Sequence, residues 1–145
     1  MAIKPTDIAR ILGGEKTLRR RVRTLEDLRR AVEEGLPAGA LERTVQHLAG
    51  EGPEATNLKY RIVARTTLQR RGDRLSVEES QRLERLARMT ALAEDVWDDV
   101  SLAHEFLTSA QPQLGGERPV DLARSDLGTR QVEEILFKLE YSLPV

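Results

Sequence analysis

An all-α fold is predicted from three features of the sequence. Aromatic residues make up only 3% of a chain that is 39% hydrophobic, so the core has to be filled mainly by Leu, Ile, Val and Ala, which suits packed helices better than sheets. Apolar residues recur at helical spacing, and no stretch shows the alternation of Val, Ile, Thr and aromatics that marks a strand. Glycines, prolines and capping residues divide the chain into segments of helical length.

The elements follow in order. A short first helix begins around Thr6-Asp7 and stops at Gly13-Gly14. In "TLEDLRRAVEEG", Thr24 and Asp27 stand at capping spacing, Leu25, Leu28 and Val32 share a face, and Gly35 ends the helix. Pro37 opens "PAGALERTVQHLAG", with Leu41, Val45 and Leu48 facing inward. "EGPEATNLKYRIVARTTLQRRG" reads as two short helices around a bend at residues 62–64. Ser76 and Glu79 form a capping box for what should be the longest helix, in which Leu83, Leu86, Ala87, Ala93, Val96 and Trp97 repeat on one side. Asp98-Asp99 precedes "VSLAHEFLTSA", with Ala103, Phe106 and Leu107 inward. "QPQLGGERP" is a loop, and Pro119 starts a short helix that runs to about Leu127-Gly128. Thr129 is then expected to cap "RQVEEILFKLEY", which carries a Val132, Ile135, Leu136, Leu139 stripe.

A net charge of −1 conceals an uneven distribution. Residues 1–74 hold 16 Lys and Arg against 10 Asp and Glu, while residues 75–145 hold 7 against 14. This shift predicts two units, 1–74 and 75–145, and is consistent either with a polyanionic partner for the first or with two ordinarily solvated surfaces. The absence of cysteine removes disulfides, thiolate catalysis and cysteine-based metal centres. No apolar run approaches the roughly 20 residues of a membrane span, and "MAIKPTDIARILGG" lacks the apolar region of an export signal, so a cytoplasmic protein without membrane contact is expected.

No catalytic constellation emerges. His104 precedes Glu105 without a second histidine four residues on, so both His104 and His47 read as surface residues and no metal site is expected. Glu94, Asp95, Asp98 and Asp99 read as a solvated helix end. "LGGERP" lacks the spacing and the preceding strand of a phosphate cradle. Binding is the stronger class. In and around "KYRIVARTTLQRRGDR" stand Lys59, Arg61, Arg65, Arg70, Arg71, Arg74 and Arg82, with Thr66, Thr67 and Gln69 suited to phosphate and base-edge contacts. The arginines of "LRRRVR", residues 18–23, are also placed to reach phosphates.

"RTTLQRRGDRLSVEESQRLERLARM", followed by Trp97, "AHEFL", "LGGERPVDLARSDLGTRQVEEIL" and "LEYSLPV", resembles the Xre/MbcA/ParS type of antitoxin, the partner of RES-domain toxins, with ParS nearest. The resemblance covers about the last eighty residues well, with the motifs in the family's order, and residues 1–56 only loosely. It implies a Cro/repressor-like helix-turn-helix domain followed by a helical toxin-binding domain. It also implies a ParT-like toxin that consumes NAD, as an ADP-ribosyltransferase or an NAD-degrading enzyme, and is silenced when this chain covers its NAD site.

On that reading Arg61, Arg65, Thr66, Thr67, Gln69, Arg70 and Arg71 contact operator DNA. Leu114, Gly115, Gly116, Arg118, Tyr141, Ser142, Leu143, Pro144 and Val145 contact the toxin. Tyr141 anchors an apolar tail in the concave dinucleotide pocket, and Gly115-Gly116 permits close backbone approach. Family members usually carry Gly where this chain has Ser142. A non-enzymatic antitoxin without cofactor is thus expected, a homodimer that represses its own operon. The alternative is a stand-alone helix-turn-helix regulator whose carboxyl-terminal domain only oligomerises.

Overall fold

The computed structural model describes residues 3–70 and 72–142. Ten α-helices follow one another among these residues: α1 Pro5–Ile11, α2 Gly14–Leu18, α3 Leu25–Glu34, α4 Ala38–Ala49, α5 Pro53–Ile62, α6 Arg65–Arg70, α7 Val77–Trp97, α8 Val100–Thr108, α9 Pro119–Leu122 and α10 Asp126–Ser142. A 3-10 turn, Pro112–Leu114, lies between α8 and α9. The described residues contain no strand; one isolated bridge joins Pro37 to Arg74.

α7 is the axis of the molecule. At 21 residues it is roughly 30 Å long, and Leu83, Leu86, Ala87, Met89, Leu92 and Ala93 are buried along it. Helices α1, α3, α4 and α5 pack on it from the amino-terminal half, and α8 and α10 from the other. One contiguous core therefore runs from Ile8 to Leu136. The composition shift at Arg74 falls just before this shared helix begins.

Local chemistry sets the ends of α7. Ser76 Oγ accepts from Glu79 N at 3.1 Å, and the Glu79 carboxylate accepts from Ser76 N at 2.8 Å, which satisfies two amides that would otherwise lack partners. The same arrangement at Thr24 and Asp27 starts α3. Where buried amides need partners, side chains supply them: Leu36 N donates to Ser80 Oγ at 2.8 Å, which fixes the α3–α4 connection on α7. Asp98 turns the chain in the left-handed region at φ 50°, and Asp99 then caps α8 by accepting from Leu102 N at 2.9 Å.

The carboxyl-terminal boundaries differ from the sequence expectation. α9 stops at Leu122, and α10 begins at Asp126. Ser125 is the capping residue, its Oγ accepting from Gly128 N at 3.0 Å, whereas Thr129 lies buried within the first turn and donates its hydroxyl to Ser125 O at 2.8 Å. A Cβ on Gly128 would stand 2.4 Å from Leu122 O. Only glycine lets α10 start so close behind α9. The region around Gly13-Gly14 ends α1 as expected but also starts the extra helix α2. Phe106 is half-buried and stacks near Trp97, with ring centroids 6.1 Å apart.

Candidate functional site

Three groups of side chains have the chemistry for function: those on the α5–α6 pair, those along the outer side of α10, and a histidine cluster between the halves.

α5 ends where Val63 turns extended and buried, and Val63-Ala64 forms a two-residue connection to α6. None of α6 is fully buried, so its contacts with the core are partial, through Leu68. Arg65, Thr66, Gln69 and Arg70 are exposed, and Thr67 is half-buried. Among the described residues, no ion pair engages Arg65 or Arg70; the Arg65 guanidinium sits 5.9 Å from the Tyr60 ring centroid. The neighbouring cations have internal partners. Lys59 Nζ pairs with Glu42 at 2.7 Å, Arg74 donates to Gly35 O at 2.8 Å, and Arg82 donates to Ile62 O at 3.2 Å and to Glu78 at 2.9 Å. Arg61 reaches across to α9 and pairs with Asp121 Oδ1 at 2.8 Å. Arg71 lies outside the described residues. In "LRRRVR", Arg19 pairs with Asp73, Arg20 with Glu34 and Arg21 with Glu15, so these three arginines are partly neutralised within the fold.

Beyond α8, Pro112–Leu114 is followed by Gly115 and Gly116, at φ 67° and 84°. Both are in the region that side chains rarely adopt, with open space around them, so the glycines are needed for the backbone path and leave that backbone bare at the surface. Leu114 is buried and pins the loop to the core. Next to it a groove of about 310 Å³ runs along α10, lined by Gln113, Leu114, Gln131, Ile135 and Lys138. Arg118 lies back on Asp121 through two bonds of 2.9 and 3.2 Å. Burial pushes the Asp121 carboxyl up, but the bonds from Arg118 and Arg61 outweigh it and hold that group below its ordinary value.

α10 buries Val132 and Leu136, with Ile135 and Leu139 partly covered, as the stripe predicts. Its opposite side carries Leu127 at 70% exposure, Phe137 at 38% and Tyr141 at 72%. At 100° per residue these three fall within about 80° of one another, with the exposed charges Arg130 and Glu134 in the same arc between Leu127 and Phe137; Phe137 and Tyr141, one turn apart, make the adjacent apolar pair on this outer side. Leu127 and Phe137 were not among the residues expected to bind a partner; their signal was an apolar periodicity out of phase with the buried stripe. Ser142 closes α10, and Leu143, Pro144 and Val145 lie outside the described residues.

The chain's two histidines, read separately as surface residues, meet on one carboxylate. His47 Nε2 of α4 is 2.5 Å from Glu94 Oε2 of α7, and His104 Nε2 of α8 is 2.8 Å from the same oxygen. The rings are half-buried and stand edge-on with centroids 4.9 Å apart, and the Glu94 side chain is only 9% exposed. Burial pushes the Glu94 carboxyl up, and the two imidazole bonds outweigh it and hold the group below its usual range.

A short helix pair with an exposed, cationic second helix, followed by a helical unit with exposed apolar side chains, has the features of a helix-turn-helix protein joined to a partner-binding domain. Comparison with known proteins gives the same order of domains, with the two matches meeting within α7. Residues 27–88 match the Antitoxin Xre-like helix-turn-helix domain, and residues 92–141 match the Antitoxin Xre/MbcA/ParS C-terminal toxin-binding domain. The chain thus carries, in order, both domains of the Xre/MbcA/ParS type of antitoxin. It is similar to the Antitoxin Xre of Pseudomonas putida, 36% identical over 81 residues that cover 54% of this chain and 51% of that relative. The chain thus matches about half the length of the relative.

Proposed function

We propose that the chain is the non-catalytic antitoxin of a type II toxin–antitoxin pair, acting in the cytoplasm. The observation that carries this reading is the succession of the two matched domains along one chain. In the division of labour proposed here, residues 1–74 bind operator DNA as a homodimer and residues 75–145 bind the toxin. α6 serves as the reading helix: Arg65 and Arg70 supply cationic contacts, Thr66 and Gln69 supply contacts suited to base edges, and Thr67 lies at its half-buried edge. Arg61, held by Asp121, reaches phosphate only by exchanging that partner, and Arg71 extends the basic run.

The toxin is a RES-domain enzyme of the ParT-like, NAD-consuming kind, an ADP-ribosyltransferase or an NAD-degrading enzyme. Inhibition works by occlusion: Tyr141 and residues 142–145 enter the dinucleotide cleft, and Gly115-Gly116 lies against its rim. The motif order quoted above and the outward position of Tyr141 at the end of α10 support this reading. Deleting residues 141–145 is expected to leave helix content and DNA binding intact while NAD turnover by the toxin resumes in a mixture that the full chain silences. Full inhibition by the truncated chain would contradict occlusion by the tail.

A further inference from the structure

The histidine cluster is not needed for either binding face, yet it joins them. His47 stands on α4 within the helix-turn-helix match, while Glu94 and His104 stand on α7 and α8 within the toxin-binding match. Their donor atoms all lie within 4.8 Å of one another. Two imidazoles and one carboxylate are the ligand set of zinc sites that keep a fourth position open, whereas Mg²⁺ and Ca²⁺ favour oxygen ligands throughout.

We propose that His47, Glu94 and His104 bind a zinc ion that clasps α4 to α7 and α8, joining the DNA-binding half to the toxin-binding half. The Glu94 Oε2 oxygen accepts hydrogen bonds from both rings. Ligands at about 2.0–2.1 Å from a tetrahedral zinc stand about 3.3 Å apart, so each Nε2 retreats from Oε2 by roughly 0.5 to 0.8 Å as the ion enters, and the two Nε2 atoms, up to 4.8 Å apart, close on each other by as much as about 1.5 Å. That is a side-chain adjustment. Each neutral imidazole then carries its proton on Nδ1 and offers the Nε2 lone pair, and water fills the fourth position. His47, the most exposed of the three, also lines an open cleft of about 640 Å³ between α1, α2 and α4, which gives a hydrated ion a route in. Arg10 and Arg43 line the same cleft and oppose a cation there, so affinity is expected to rise with ionic strength until the salt screens them.

The test uses the full-length, tag-free chain stripped of metal by a chelator, with Zn²⁺ alone as the calorimetric probe and Co²⁺ as the spectroscopic one. One zinc per chain at micromolar affinity or tighter is expected. The Co²⁺ form should show the visible bands of a four-coordinate site, and zinc should raise the unfolding midpoint. His104→Gln and Glu94→Gln are each expected to weaken binding at least tenfold and abolish that rise. His47→Gln, at the more exposed position, should do the same if either of the first two fails to fold. Absence of saturable zinc binding by the unaltered chain would overturn the proposal, as would unchanged stoichiometric binding in a folded His47→Gln or His104→Gln chain. The outcome is independent of toxin and operator, so it can fail while the antitoxin reading stands.

Discussion

Around α5 and α6 the surface is cationic, yet most of its charge is engaged inside the molecule: Lys59 by Glu42, Arg61 by Asp121, Arg74 and Arg82 by backbone carbonyls. Along the outer side of α10 the large exposed side chains are apolar, Leu127, Phe137 and Tyr141, with Arg130 and Glu134 set among them. The first region offers a few directed charges on a helix that is hardly buried. The second offers contact area on a helix whose other side is firmly packed. A net charge of one half therefore says little about how many cations are available to a partner, and the apolar content of a helix says little about which face is covered.

The largest effect is expected on the apolar side. Tyr141→Ala combined with Phe137→Ala should weaken toxin binding by about 2 to 4 kcal/mol, the range for truncated interface anchors, or roughly 30- to 700-fold at 1.4 kcal/mol per decade. Operator binding should be unchanged. Calorimetry with purified toxin and a DNA mobility titration on the same variant check both halves of the statement. On the cationic side, Arg65→Ala with Arg70→Ala should weaken DNA binding and flatten the dependence of log affinity on log salt by roughly 2, about 0.9 for each phosphate contact removed. Toxin binding is expected to stay within about twofold of the parent, because these side chains lie away from α10.

The smallest effect concerns the ion pairs that join the regions. Asp121 has a folded pKa held below its unfolded value near 3.9. Its contribution to stability is complete above that unfolded value and is lost as pH falls through the lower, folded one. Thermal melts are therefore expected to be insensitive to this group between about pH 5 and 7 and to lose stability below about pH 4. Asp121→Asn should be less stable at neutral pH and show a smaller acid-side loss. An identical acid limb in the variant would show that Asp121 is not coupled to Arg61 and Arg118 in solution.

Much of the fold was legible in the sequence because its signals are local. The Thr24–Asp27 and Ser76–Glu79 pairs fixed the starts of α3 and α7, and the break at residues 62–64 separated α5 from α6, since capping and turn chemistry operate over three or four residues. The α9–α10 boundary was misplaced because Ser125 and Thr129 are both good capping residues, and the choice rests on the approach of Gly128 to the Leu122 carbonyl. Long-range pairings were not legible. His47 and Glu94 are 47 positions apart and Arg61 and Asp121 60, and only the packing of α4 on α7 and the placing of α9 beside α5 bring them together. The site followed the same rule. α6 was visible as a run of consecutive residues, whereas the outer face of α10 depends on knowing which side of the helix the core takes.

The contrast between the two faces is tested most directly by one salt titration on a single preparation, with operator and toxin affinities measured side by side from low to moderately high ionic strength. Operator affinity is expected to fall steeply and linearly on a double-logarithmic plot, as counterion release requires, while toxin affinity changes little. Parallel slopes for the two partners would contradict the division into a charge-reading face and an apolar docking face.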